Sequence, residues 1–259
     1  MRLALSAPFL AVALASCSTL TEDPPAPYTS NTLGTGLRIH QIQDPSSPEY
    51  APNKSVIVSS IVVSWIDKFD ETKDGKSIGT VYVQDIGSTQ PYSGIDIYEP
   101  SYVPASLRLL PGDVMDFNGP YQEIANVGSA IFSAGTTLPQ LAKPVGTYRY
   151  DFSTPDPVTI QLSDIDEDNY LTGRKWENML VQVNDVTVGP GVNSSNRVSY
   201  IMGQGDASID INAAGLSNEL YDLGANDYPA GTHFSSVTGI VTWFYSYHIA
   251  PRSAADLKQ

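Results

Sequence analysis

The side chains that could do chemistry are few and thinly spread. His40, His233 and His248 are the three histidines, and none has a second His or Cys at metal-ligand spacing. No Gly-x-Ser-x-Gly, His-Glu-x-x-His or phosphate-loop pattern occurs. Asp164, Asp166 and Asp168 alternate as the start of a calcium loop does. Asn169, however, replaces the turn glycine, and Lys175 falls where the bidentate Glu belongs. Asp67, Asp70, Glu71 and Asp74 make a second acidic loop. Both loops read most simply as solvated acidic turns, so no calcium-dependent rise in melting temperature is expected. No metal or other cofactor is called for, and an enzyme is not expected. Recognition is the better prospect. In 80–84, Val81 and Val83 face one way while Tyr82 and Gln84 face the other; in 94–98, Ile95 and Ile97 oppose Asp96 and Tyr98. Tyr82, Gln84, Asp96 and Tyr98 are the candidate ligand-binding residues, unless the tyrosines merely cover the sheet or meet a neighbouring unit. Trp243, Tyr245 and Tyr247 share a face of a later strand, where packing is the simpler role.

Composition bounds the partners. The chain has 259 residues with 14 basic and 28 acidic side chains, a net charge of −14. That is the wrong sign for a duplex-DNA binder, which needs clustered Lys and Arg. With 15 Tyr, 20 Gly and 19 Pro, the balance favours strands and turns over long helices. A single Cys excludes an internal disulfide framework.

That Cys lies in a targeting context. Met1-Arg2 is a short positive start, followed by a mostly apolar run over 3–14. The run is shorter than the roughly 20 residues a membrane span needs, and suits a signal peptide. Leu14-Ala15-Ser16-Cys17 resembles the lipobox of bacterial lipoprotein precursors. The resemblance implies cleavage after residue 16 and acyl chains, palmitate among them, on Cys17; an ordinary secretory signal is the alternative. Several acyl chains would anchor the protein firmly in a membrane. Ser18 stands where Asp would signal inner-membrane retention, so the bacterial outer membrane is the expected location. Residues 17–52, with Pro24, Pro25, Pro27, Pro45, Pro48 and Pro52, read as a lipidated, semi-rigid tether. Within it, 37–44 alternates and could form a short strand.

The remainder reads as two related all-β units. In 56–65 the apolar residues fall at 56 and 58, then shift phase to 61, 63 and 65; in 179–188 they fall at 179, 181 and 183, then at 186 and 188. A step of three in a period of two implies a β-bulge. Segment 80–84 corresponds to 198–202, 94–98 to 208–212, and 111–119 to 230–239. A long bulged first strand followed by four shorter ones is the build of an OB-fold, a five-stranded barrel that binds ligands on strands 2 and 3. Two tandem OB-fold-like barrels are expected, over 53–150 and 151–259. An immunoglobulin-like sandwich is the rival, with about seven strands per unit.

The order of motifs carries a further likeness. Ile39-His40-Gln41-Ile42-Gln43, then 55–63, then Tyr82-Val83-Gln84-Asp85 with Tyr92-Ser93-Gly94-Ile95, is similar to the OB-fold modules that accompany bacterial extracellular nucleases. Trp176-Glu177-Asn178-Met179-Leu180-Val181 resembles the lead-in to that family's second barrel, and 238–242 with 247–253 its closing strand. The likeness does not extend to a nuclease domain. It implies a barrel pair without hydrolysis. The expected function is therefore a non-catalytic, lipid-anchored envelope protein that binds a protein or glycan partner, or serves as a scaffold. A single-stranded nucleic-acid-binding module is the alternative. The acidic charge makes nucleic acid the less expected partner.

Overall fold

A computed structural model describes residues 34–75, 79–124, 126–127, 130–131, 138–165, 170–205, 214–244 and 246–259. Residues 1–33 lie outside that set, and with them the signal-peptide and lipobox readings, Cys17 and the first part of the tether. Segments 166–168 and 208–212, and Tyr245, also lie outside it.

A short helix, α1 (Ile39–Gln43), leads into the first unit. Its strands are β1 (Ser55–Ile66), β2 (Val81–Asp85), β3 (Gly94–Tyr98), β4 (Ser101–Val103) and β5 (Asp113–Ile124). There follow a small β6 (Asn126–Val127) and β7 (Ala130–Ile131) ladder, then β8 (Leu138–Ala142) and β9 (Val145–Asp151). The second unit holds β10 (Val158–Thr159), helix α2 (Tyr170–Gly173), β11 (Leu180–Ser194), β12 (Arg197–Gln204) and β13 (Gly215–Ser217). It ends with β14 (His233–Phe244), β15 (Ser246–Ala250) and β16 (Leu257–Lys258).

Each unit closes a five-strand ring. The first runs β1-β2-β3-β8-β5 and the second β11-β12-β13-β15-β14, with the last strand of each pairing back to the first. All ring pairings are antiparallel except β3–β8 and β13–β15. This is the same topology twice, and it is the OB-fold's. An open sandwich is excluded by the closing ladders β1–β5 and β11–β14. Inward residues fill the rings: Val58, Ile61, Val83, Ile97 and Phe117 in the first, and Val183, Val186, Tyr200, Leu216 and Tyr247 in the second.

The phase steps are present but differ in kind. In β1 the ladder to β5 slips between Val58 and Ile61, and Ser60 takes a positive φ of 62°. That is the expected bulge. In β11 Asp185 takes a φ of 59°, yet pairing with β14 keeps one register from Leu180 to Thr187. β14 makes the same step of three, from Phe234 to Val237, so no residue is left over. The slip instead falls against β12, between Val188 and Gly191.

Three expectations need correction. The match of 80–84 to 198–202 is out of phase, because Tyr82 faces outward from its barrel whereas Val198, Tyr200 and Met202 face into theirs. The tether is also shorter than 17–52. Its part from Gly34 onward packs on the first barrel, with Ile39 and Ile42 fully buried in that core. Each contributes roughly 2 kcal/mol of apolar burial. The 37–44 stretch is a helix with one bridge, Leu37 to Val58, and not a strand. Ile39 and Ile42 are three apart, the helical spacing. Asp85, at the end of β2, accepts from Ile39 N at 2.8 Å and His40 N at 3.1 Å, capping the helix from across the fold. Asp85 also holds His40 Nδ1 at 2.7 Å, which raises the His40 pKa above 6.5. The sign of that linkage follows: the His40 contribution is present below pH 6.5 and is lost as pH rises through the raised value. Leu162 and Ile165, ahead of β11, complete the second core as α1 completes the first.

Candidate functional site

The outward face of β2 and β3 does not meet solvent along most of its length. Tyr82 packs with Leu180, Leu220, Ile240 and Ala250 of the second barrel, and with Trp65. Gln84 is fully buried, and its Oε1 accepts from Leu180 N at 3.1 Å. A Cβ added at Gly94 would lie 2.6 Å from Asn178 O, so only glycine lets the second barrel approach that closely. Tyr82 and Gln84 are therefore reassigned from ligand binding to holding the barrels together. Asp96 lines a cleft of about 240 Å³ between the barrels, facing Glu177, Glu219, Thr242 and Trp243. Tyr98, 48% exposed, remains on the surface beside the Lys143–Glu99 pair.

The cleft is acidic and poorly compensated. Desolvation pushes Asp96 up to about 7, with Arg174 pulling the other way. Glu177 is pushed up to about 8 by the same cause, against the same Arg174. Glu219 is raised to about 7 by desolvation, opposed by a hydrogen bond from Thr242. These carboxyls are spread along the interface. Among the described residues no group of three His, Cys, Asp or Glu side chains converges to hold a metal ion. The acidic loop over 67–75 is tied up locally, Asp70 accepting from Gly75 N at 2.7 Å and Thr72 Oγ1 donating to Asp74 at 2.7 Å.

Among the described residues nothing covers the equivalent face of the second barrel. A groove of about 320 Å³ runs over β12 and β13 and the ends of β14 and β15, within the size range of small-ligand sites. Ser199 and Ser217 face each other across the β12–β13 ladder, and His248 lies beside Gly215 on the parallel neighbour. Gly215 has a structural reason: a Cβ there would lie 2.7 Å from the His248 ring. Asn218 is fixed by accepting from Val198 N at 2.9 Å and donating to Asn196 O at 3.0 Å.

Arg197 and Phe244 also line the groove. Ser195 and Asn196, with φ of 55° and 69°, make a tight turn that delivers Arg197 to the start of β12. Its guanidinium sits 4.0 Å from the centre of the Phe244 ring and 2.7 Å from Glu71 of the first barrel. Phe244 is 40% exposed. Ser217 is buried, and its Oγ has no hydrogen-bond partner among the described residues; the same holds for His248 Nδ1. Desolvation drives His248 down to about 4, so the imidazole is neutral at pH 7. The groove thus offers an aromatic platform, hydroxyls, an amide and a neutral imidazole, with a single cation that already has a carboxylate partner.

The sequence reading missed this groove. Alternation across 243–247 singled out Trp243, Tyr245 and Tyr247. Trp243 and Tyr247 indeed pack edge to face, with ring centres 4.9 Å apart. Phe244 points the other way, and an aromatic on both faces of a terminal strand was the available signal. Comparison with protein-family models gives no match, and neither does comparison with curated proteins.

Proposed function

We propose that this chain is a non-catalytic binding protein of the bacterial envelope, held by acyl chains on Cys17 in the outer membrane, and that it carries a glycan in the groove of its second barrel. The observation that supports this reading is an exposed Phe244 ring lining one groove with Ser199, Ser217, Asn218 and neutral His248. A pyranose presents an apolar face to such a ring and hydroxyls to such polar side chains. A single-stranded nucleic acid is the second reading, favoured by Arg197 stacked on Phe244. Phosphates need cations, however, and Arg197 is engaged by Glu71 while Glu219 lines the same groove. Phe244→Ala should weaken binding of neutral tetrasaccharides about tenfold by calorimetry, a loss of about 1.4 kcal/mol. A shift of single-stranded DNA at low salt, with no saccharide bound, would favour the second reading. Cys17→Ser should move the protein from the membrane to the soluble fraction; retention in the membrane would refute the anchor.

A further inference from the structure

We infer that the glycan accepted by this groove carries a free amino group, with Glu219 receiving the ammonium. The inference rests on the groove reading above and names its ligand class. Glu219 lines both the groove and the cleft between the barrels, so the residue stands in the wall they share. Thr242 Oγ1 donates to one of its oxygens. Arg197, the one Lys or Arg lining the groove among the described residues, is directed instead to Glu71 and the Phe244 ring.

The charged and titratable groups around this wall are Arg197, Glu71, Asp67 and His248, with Tyr82, Asp96 and Glu177 on the side of the cleft. His248 is neutral, and Asp67 and Glu71 are acidic, so negative charge exceeds positive. Glu219 forms no ion pair among the described residues, Arg197 acting on it only through space while paired with Glu71, and desolvation raises its pKa. An ammonium seated there forms a charge-assisted hydrogen bond. An N-acetyl group can still donate one N–H, but it is bulkier and brings no positive charge to the carboxylate. The buried Ser217 Oγ, without a partner among the described residues, lines the same groove and offers the sugar a hydroxyl contact. A metal ion fits less well, because the carboxyls do not converge.

The test is calorimetry on the intact protein with glucosamine tetramer and with its fully N-acetylated counterpart, at pH 7 and low salt. The amine form should bind at least about tenfold tighter. Glu219→Gln should bring the two within about twofold, and Phe244→Ala should weaken both in parallel. Should Glu219→Gln fail to fold, the wild-type preference must still narrow as salt is raised, because charge interactions are screened. A preference indifferent to salt would overturn the inference. Equal affinity of the wild type for both tetramers would overturn it and leave the groove reading standing. Binding of neither tetramer would overturn both.

Discussion

An Arg174→Met variant should lose about 3–5 kcal/mol of stability in chemical denaturation, the loss expected when one partner of a buried ion cluster is removed. Arg174 lies between α2 and β11 and is 6% exposed. It reaches from the second unit into the first. One terminal nitrogen donates to Oε1 of Gln43, the last residue of α1, at 2.9 Å, and the other to Tyr121 OH at 3.4 Å. Glu123 lies 3.7 Å away and Glu177 3.9 Å, and the Tyr92 ring is 5.9 Å off. Removing the guanidinium takes a cation from beside Glu123 and Glu177 and the donor from Gln43 Oε1, so a buried polar network is broken on one side only, the costly case. Met fills the stem volume, so the loss reads charge and hydrogen bonding more than packing. A loss under 1 kcal/mol for Arg174→Met would show that the units do not depend on this cluster.

The second large effect is a fall in stability between pH 5 and pH 8. Asp67, Asp96 and Glu219 are raised to about 7 and Glu177 to about 8, chiefly by desolvation, from ordinary values of 3.8 for Asp and 4.5 for Glu. Between those limits the folded protein holds protons that the unfolded chain has released. Stability then decreases as pH rises, and the decrease ends once the folded groups have ionised. A shift of three units in one fully buried carboxyl corresponds to about 4 kcal/mol. His40 acts in the same direction, since its raised pKa adds stability on the acid side. The melting temperature should therefore fall by roughly 10 °C or more from pH 5 to pH 8. Glu177→Gln should flatten the curve, since a neutral amide has no proton to release. A melting temperature that rises across this range would contradict the burial of these carboxyls.

Much of the scaffold was legible because it depends on local pattern. The period-two runs with a shift of three located β1 and β11, and the bulge at Ser60 lies where the apolar phase changes. What the pattern could not show depends on contacts distant in sequence. Helix α1 exists because Asp85, on β2, caps it, and no neighbour in 37–44 reveals that. Tyr82 and Gln84 have the character of a ligand face on their own strand. Their burial follows only from the docking of Leu180 and Ile240, which no alternation along 80–84 encodes. The phase error between 80–84 and 198–202 has the same origin. An outward Tyr82 covered by a second barrel and an inward Tyr200 in a core are both buried aromatics, and the sequence alone cannot tell them apart.

The central claim is that one barrel's binding face is sealed by its neighbour while the other's remains open for ligand. Hydrogen–deuterium exchange of the intact protein, with and without saturating glucosamine tetramer, tests it most directly. Added protection is expected at 197–199, 215–218 and 246–248, with 81–85 and 94–98 already protected and unchanged. Ligand-induced protection confined to 81–85 and 94–98, or no change anywhere, would contradict the account.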